Sequence, residues 1–256
     1  MKKILFKIFT CSLLAMMALI NTAVAADSKP DSLADVWVMV PNHGQESAFE
    51  TAFIKHVQFR ASQGDPRAWK VYRPAIGTGM DRYIIRYCCT QWNDVDGYQK
   101  WQADNKILDD WYANVAQYIH HYEHFYSRLD IENSNWPQDS KEFKYFAVTN
   151  YQEKMGSSKG IAAGKKLLSD NAKAMKWPYS WSWADSIGGE GGLSLVIPYN
   201  NYAGMTPPDK SFAEVLATHM GDEAKAGAAL KAWSDNFHST TYTVYRLVDE
   251  LSMKDK

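Results

Sequence analysis

The amino-acid sequence predicts an α+β fold built from two tandem copies of one folding unit. Two stretches with a shared pattern support this prediction, YIHHYEHFYSRLD at residues 118–130 and FHSTTYTVYRLVD at residues 237–249. Both contain Arg-Leu near their ends, and in both a histidine, His120 or His238, stands eight residues before that arginine. Each stretch also ends the same predicted order, β-α-β-β-α-β, which indicates a duplicated domain rather than a short repeat.

Hydrophobic periodicity predicts the elements of the first unit. Runs of β-branched residues favour strands, apolar residues three and four positions apart favour helices, and the Gly-Asp-Pro sequence at 64–66 ends the first helix. The predicted elements are a strand at 36–41, a helix at 45–62, strands at 69–73 and 82–90, helical segments within 94–115, and the histidine-rich strand at 118–130.

The second unit repeats this order after a polar, turn-prone linker. The predicted organisation is a signal peptide at 1–25, a first unit at 26–134, a linker at 135–141 and a second unit at 142–256. The predicted elements of the second unit are a strand at 144–150, a helix at 156–174, strands at 179–184 and 193–199, a helical region at 212–233 and a closing strand at 237–247.

A few residues anchor the alignment of the two copies. We expect residues 40–42 (Val-Pro-Asn) to correspond to residues 148–150 (Val-Thr-Asn), and residues 91–92 (Gln-Trp) to residues 201–202 (Asn-Tyr). Little identity survives elsewhere, so the duplication is predicted mainly from the order of elements.

The N-terminus predicts a cleavable signal peptide. Three lysines precede an apolar run at 9–20, and Ala-Val-Ala at 23–25 is a small-residue cleavage site. We therefore expect a mature chain that begins at Ala26 or Asp27, carries no lipid or membrane anchor, and is periplasmic or secreted. Without the leader, 25 Lys+Arg stand against 29 Asp+Glu, a net charge near −4 that argues against nucleic acid as a partner.

The predicted mature chain keeps two cysteines, Cys88 and Cys89. Adjacent residues on a strand point to opposite faces, and a bond between them closes a small ring. The sequence therefore predicts two small buried side chains rather than a disulfide. A redox or metal role is the alternative.

Two consecutive β-α-β-β-α-β units are ferredoxin-like, and as a pair they resemble the dimeric α/β-barrel superfamily. That superfamily includes NIPSNAP-type proteins, antibiotic-biosynthesis monooxygenases, haem-degrading monooxygenases and chlorite-dismutase-like proteins. The resemblance covers residues 35–250 and rests on element order, without a catalytic motif that could be carried over. It implies facing antiparallel sheets that form an intramolecular α/β barrel, and it leaves the oligomeric state open.

Strand alternation predicts which side chains line the space between the two sheets, because residues two apart share a face. Val36 and Val38 are expected to pack on the helices, while aromatic, imidazole and cationic side chains face inward. The candidate ligand-binding residues are His120, Tyr122, His124, Arg86, Trp37, Trp181 and Trp183. Such a wall suits a small aromatic or amphipathic molecule. In the alternative, large side chains fill the space completely.

The histidine-rich strand contains one motif with a metal chemistry. His120, Glu123 and His124 match the H-x-x-E-H pattern of inverted zinc peptidases. That chemistry needs a helix, on which the two histidines lie one turn apart. The Thr- and Val-rich matching stretch of the second unit favours a strand instead, so no metal site is predicted.

These observations predict an exported protein that binds a small molecule in an aromatic and histidine-lined cavity. The resemblance implies a different function, a cofactor-independent monooxygenase or a haem-handling enzyme. The zinc peptidase is a remote third hypothesis. The sequence identifies no catalytic residue and no cofactor, because it contains no nucleophile elbow, phosphate loop or metal cluster.

Overall fold

The computed structural model describes residues 32–137, 143–189 and 192–254. The predicted signal peptide and its cleavage site lie outside the described residues, as does most of the predicted linker. Among the described helices, none combines the length and the hydrophobicity that a membrane crossing requires.

The predicted order of elements occurs twice in the described part of the chain. The first unit contains β1 (Leu33–Pro41), α1 (Glu46–Ser62), β2 (Lys70–Ile76), β3 (Tyr83–Thr90), α2 (Trp92–Asp104), α3 (Ile107–Asn114), a 3₁₀ turn (Ala116–Tyr118) and β4 (Ile119–Asn135). The second unit contains β5 (Tyr145–Glu153), α4 (Ser158–Ala174), β6 (Trp181–Ile187), β7 (Leu193–Tyr199), a 3₁₀ turn (Tyr202–Met205), α5 (Phe212–Met220), α6 (Glu223–Ser234) and β8 (Phe237–Leu247).

The helical region of the second unit is divided by local capping chemistry. Ser211 and Glu214 form a reciprocal capping box at the start of α5. Gly221 then adopts a left-handed conformation that ends α5, and the side chain of Asp222 accepts a hydrogen bond from the Lys225 N–H to begin α6. Two helices, α5 and α6, therefore occupy the region at 212–233 that was predicted as helical.

The eight strands close into one antiparallel barrel in the order β1-β3-β2-β8-β5-β7-β6-β4. Each unit contributes four neighbouring strands, and the units join edge to edge through the β4–β6 and β2–β8 pairs. The barrel predicted from the order of elements is thus confirmed. Closure leaves no free sheet edge among these strands.

The strand register defines how the two copies correspond. Val36 stands opposite Phe125, and Val148 stands opposite Thr243. Phe125 and Thr243 are equivalent positions in the repeated pattern. Val36 therefore corresponds to Val148, and the predicted match of residues 40–42 to 148–150 is wrong by four positions. The Gln91 and Asn201 match is confirmed, because each residue follows the third strand and caps the next helical element.

The predicted assignment of strand faces is reversed in β1. Trp37 stands opposite Ile85 and His124, and it packs against the cluster that contains Phe49 of α1. Trp37 therefore lies on the outer, helix-covered face, and the neighbouring valines face the barrel interior. Both faces of β1 are buried, one under helices and one inside the barrel, so hydrophobicity alone cannot distinguish them.

Two apolar cores lie on the outer face of the barrel, one in each unit. The first surrounds Phe49 and Phe53 of α1, and the second surrounds Trp183 of β6 and Trp233 of α6. Each core thus fills a space between helices and sheet, and this space, rather than the barrel interior, holds most of the large aromatic side chains.

The two cysteines differ from the prediction. A disulfide joins Cys88 to Cys89, and the peptide bond between them is cis. Cys89 is exposed and Cys88 is half-buried. The prediction of two separate buried thiols is therefore wrong.

Candidate functional site

The structure distributes the seven predicted cavity residues over three places. Arg86 alone lies in the barrel interior, where it stands opposite Val36. Burial lowers the pKa of the Arg86 guanidinium, and a hydrogen bond with Tyr72 opposes this shift. The prediction that Arg86 faces inward is confirmed.

Three of the predicted residues lie together on the outer face of the first unit. The rings of Trp37 and His124 stack with centroids 4.0 Å apart, and Tyr122 lies 6.2 Å from Trp37. Tyr122 is 52% exposed, and His120 is also exposed near the start of β4. Trp37, Tyr122 and His124 therefore lie on the outward face rather than between the sheets, whereas His120 lies at the β-bulge of the β1–β4 pair.

A buried ionic network joins His124 to the first-unit core. Asp35, which is 4% exposed, contacts His124 Nε2 at 3.0 Å and Arg67 Nη1 at 2.6 Å. Arg67 also donates to Thr90 Oγ1 at 3.3 Å, and its guanidinium lies 3.6 Å from the Tyr98 ring centroid. These contacts satisfy a buried charge pair and fill the space between helices and sheet.

A second group of polar residues fills the same space beside this network. Asp65 is fully buried and accepts hydrogen bonds from Arg60 Nε at 2.7 Å and from Tyr98 Oη at 3.2 Å. His56, also buried, contacts Asp110 at 2.6 Å. Burial lowers the pKa of His56, although the hydrogen bond to Asp110 opposes the shift. The first unit is therefore packed with paired polar groups.

The second unit keeps a cavity in the corresponding space, with a volume of about 210 Å³. It lies between the outer face of β6 and β7 and the helices α4, α5 and α6. We call it the second-unit cavity. It is lined by Tyr151, Leu168, Ser169, Ala172, Trp177, Tyr179, Ser180, Trp181, Trp183, Leu195, Ile197, Phe212, Leu230 and Trp233.

Two predicted residues, Trp181 and Trp183, do line this cavity, although it lies on the helix side of the sheet rather than between the sheets. Sequence reasoning missed Tyr151 and Trp233 as partners of Trp183, whose ring lies 6.0 Å from Tyr151 and 5.4 Å from Trp233. The spacing of Leu230 and Trp233 along α6 identifies a face that packs on the sheet. No sequence signal shows that this face leaves space unfilled.

Most polar groups around the cavity already have partners. Trp183 Nε1 donates to Ser169 Oγ at 3.0 Å, and Trp181 Nε1 donates to the Asn133 carbonyl at 2.8 Å. Tyr179 Oη donates to the Thr206 carbonyl at 3.0 Å. The hydroxyls of Ser169 and Tyr151 also line the cavity: Ser169 Oγ accepts from an indole that can only donate, and the Trp233 indole N–H acts on the Tyr151 hydroxyl. Among the described hydrogen bonds, neither hydroxyl donates its proton, so both can donate to a ligand.

Burial raises the pKa of the Tyr151 hydroxyl, and the Trp233 indole N–H opposes this shift. Tyr151 is consequently neutral at physiological pH and acts as a hydrogen-bond donor rather than as a base. Among the residues that the structure describes, the cavity lining contains no carboxylate or histidine. The cavity can thus orient an apolar ring and donate a hydrogen bond to an oxygen atom.

An ion cluster lies where α4 meets β4 and β6. Lys165, 7% exposed, contacts Asp130 at 2.7 Å and Asp185 at 3.3 Å. Burial raises the pKa of Asp130, but hydrogen bonds from Lys165 and Asn133 outweigh this effect, so that the pKa is lowered. This cluster joins α4 to the seam between the two units.

The residues of the cavity do not fit a haem group. Among the described residues its lining offers no His, Cys or Met, and of the usual axial ligands it contains only tyrosine. At about 210 Å³ it is also smaller than the roughly 300–1,000 Å³ typical of pockets for drug-sized ligands. Across the described ranges, no three His, Cys, Asp or Glu side chains are grouped to hold a metal ion. The zinc-peptidase geometry fails as well, because His120 and His124 lie on a strand.

Comparison with known proteins supports the fold. No protein-family model matches the chain, and no curated protein sequence matches it. One similar solved structure is an anthrone oxidase-like protein, with 7% identity and a TM-score of 0.51 over 85% of this chain and 91% of that one. A second is a proposed monooxygenase from Lactobacillus acidophilus, with 8% identity and a TM-score of 0.50 over 89% of this chain and 100% of that one. A third is a variant chlorite dismutase from Candidatus Nitrospira defluvii, with 8% identity and a TM-score of 0.50 over 86% of this chain and 93% of that one. All three have the dimeric α/β-barrel fold, so the resemblance seen in the sequence is confirmed at the level of fold.

Proposed function

We propose that the protein takes a small aromatic molecule into the second-unit cavity and oxygenates it without a cofactor. The observation that carries the proposal is the cavity itself, which has aromatic walls and hydroxyl donors that include Tyr151 and Ser169. The reaction class is suggested by the oxidase-like and monooxygenase neighbours that share the fold.

The size of the cavity indicates the size of the ligand. An apolar cavity of about 150 Å³ in an unrelated protein binds benzene, so the cavity of about 210 Å³ suits one ring or two fused rings. Indole and phenol rings offer flat surfaces against which such a molecule stacks or packs edge-on.

For this reaction the protein needs only to position the substrate and to exclude water. A CH₂ group between an aromatic ring and a carbonyl is acidic, and it loses a proton to a water or buffer base from the solvent, since the described lining supplies none. The resulting carbanion is electron-rich enough to react with O₂. One oxygen atom becomes the new C=O and the other leaves as water with both hydrogens. Tyr151 supplies the hydrogen bond that stabilises the enolate oxygen of the substrate.

Binding without turnover is the competing hypothesis, and it rests on the same cavity. In that case the ring would be held but oxygen would not be consumed. Haem handling is not proposed for this cavity, because a space of about 210 Å³ is too small for the group.

β-Tetralone, a two-ring ketone with such a CH₂ group, is a suitable probe. We expect saturable oxygen uptake and a product that carries one labelled atom from isotopic O₂. Tyr151→Phe should lower turnover by roughly 10²-fold, the typical effect of removing one oxyanion donor. Binding without oxygen uptake would favour the competing hypothesis.

A substitution in the cavity tests the location. Ala172 is buried and lines the cavity, so Ala172→Leu should fill part of the space and weaken probe binding. Ala163→Leu, on an exposed position of the same helix, is the matched control and should bind like the wild type. Equal binding by both variants would place the ligand elsewhere.

Export belongs to the same proposal. The N-terminal lysines, apolar run and Ala-Val-Ala sequence support a cleaved leader. N-terminal sequencing of the periplasmic or secreted protein should give a chain that begins at Ala26 or Asp27. Recovery of a full-length chain from the membrane fraction would contradict this.

A further inference from the structure

A second pocket lies directly beside the second-unit cavity. It is found where α6 ends and β8 begins, and its volume is about 260 Å³. Tyr151 and Trp233 line both spaces. The two residues form a shared wall, with their ring centroids 5.5 Å apart. We call the second space the outer pocket.

The chemistry of the outer pocket differs from that of the cavity. Apart from the shared aromatic wall and Phe237, its described lining consists of Ser234, His238, Ser239 and Thr240. All four residues are exposed. Thr240 stands opposite Tyr151 and shares its face, whereas Ser239 stands opposite Gln152 on the other face of the strand. Ser234 Oγ already donates to the Lys231 carbonyl at 2.9 Å, so His238 and Thr240 are the residues that can donate a hydrogen bond to an oxygen atom.

We propose that the ligand of the cavity carries an oxygen-bearing arm, and that the outer pocket binds this arm through His238 and Thr240. The proposal rests on the proposed function, because it needs the ring to occupy the cavity. The ring lies among the tryptophans, and the arm passes the Tyr151–Trp233 wall. The substrate class is thus narrowed from any small aromatic to an aromatic with a hydroxyl, carbonyl or carboxylate arm.

The polarity on the two sides of the wall supports this orientation. A purely apolar ligand would gain nothing from the hydroxyl-rich side, and a purely polar one would lose its hydrogen bonds to water inside the cavity. No carboxylate belongs to the described lining of the outer pocket, so an anionic arm meets no like charge there. One molecule that spans both spaces satisfies both environments.

The test compares probes that share a ring and differ in the arm. Ethylnaphthalene has an apolar arm, naphthylacetate an anionic arm and naphthylethanol a neutral one. Their affinities are measured by tryptophan fluorescence with wild-type protein and with His238→Ala. We expect His238→Ala to weaken naphthylacetate or naphthylethanol roughly tenfold, as loss of a hydrogen bond to a polar group predicts, and to leave ethylnaphthalene unchanged.

His219→Ala is the matched control, because His219 is exposed on α5 and outside both linings. It should not change any affinity. Equal affinities of the wild type and His238→Ala for all three probes overturn the outer-pocket proposal. So does a tenfold loss that includes ethylnaphthalene, since it would report a change in the cavity rather than a contact with the arm.

Ala172→Leu separates this failure from failure of the proposed function. If it weakens all three probes while His238→Ala weakens none, the cavity binds the ring and only the outer-pocket proposal is overturned. If Ala172→Leu leaves all three probes unaffected, the ring does not occupy the cavity, and both proposals fail. Circular dichroism of each variant confirms that the comparison is made between folded proteins.

Discussion

The same architectural space is filled with paired charges in the first unit and left partly open in the second. Helices α1 and α4 are both 17 residues long and occupy equivalent places. At the same helical positions, α1 carries His56 and Arg60, whereas α4 carries Leu168 and Ala172. Replacing an arginine by an alanine removes the side chain that would reach across the space. Ala172, which stands at the position of Arg60, lines the cavity.

The first strand of each unit shows the same contrast. Asp35 stands opposite Tyr126, and Ala147 stands opposite Val244 at the equivalent position. Both residues are buried. A buried carboxylate requires partners, and the first unit provides Arg67 and His124. The buried methyl group of Ala147 requires no polar partner, so the second unit can leave space unfilled. The difference shows that buried charges beside an apolar core need packed partners, whereas apolar groups at the same positions can leave a cavity.

Breaking the charge pair of the first unit should have the largest effect. Arg67→Met leaves the buried Asp35 carboxylate without its closest cation, and we expect a loss of about 3–5 kcal/mol in the free energy of unfolding. Urea denaturation followed by circular dichroism measures it. Adding Asp35→Ala should recover part of the loss, because the orphaned charge is then removed. Lys100→Met, at an exposed ion pair, should cost less than about 1 kcal/mol.

Placing a carboxylate in the second unit tests the comparison from the other side. Ala147→Asp places a carboxylate at a position that is 2% exposed and that lacks an arginine partner like Arg67. We expect a loss of about 3 kcal/mol at neutral pH, partly regained at acid pH as the carboxyl becomes neutral. Ala163→Asp, at an exposed site, is the control. A loss below about 1 kcal/mol for Ala147→Asp would show that the second core tolerates charge, against our explanation.

The buried histidine gives the first unit a specific pH dependence. Because burial lowers the pKa of His56, the unfolded chain binds this proton more readily than the folded chain. The stability associated with His56 is therefore complete above the unfolded pKa of about 6.5, and it is lost as the pH falls below that value, by at most about 1.4 kcal/mol per pH unit.

His56→Leu, which copies Leu168 of the second unit, should flatten this dependence between neutral pH and pH values near 5. Urea denaturation of the variant at several pH values in that range measures its free energy of unfolding and tests this expectation. A variant whose stability still falls as steeply as that of the wild type would assign the dependence to another group.

Filling the cavity should have the smallest effect on stability. Ala172→Leu adds apolar volume to an existing space, so we expect the free energy of unfolding to change by less than about 1.5 kcal/mol. The same substitution should nevertheless weaken ligand binding. A much larger destabilisation would show that the space around Ala172 is already closely packed.

The sequence by itself determined the order of elements and the duplication. Strand composition, helical spacing and capping residues act over a few positions, and the sequence displays them directly. The His120 and His238 patterns marked the last strand of each unit correctly. Arg86 was also placed correctly, because the apolar residues that alternate with it fit the helix-covered face.

Only the tertiary structure decided which face of each strand points outward and where space remains. Alternation separates two faces but does not name them, and in a closed barrel under helices both are buried. Trp37 and His124 were for this reason assigned to the wrong side. The cavity depends on the side chains that meet across it from α4, β6 and α6, and in particular on the small size of Ala172. A void results from volumes contributed by distant parts of the chain, so no local pattern in the sequence encodes it.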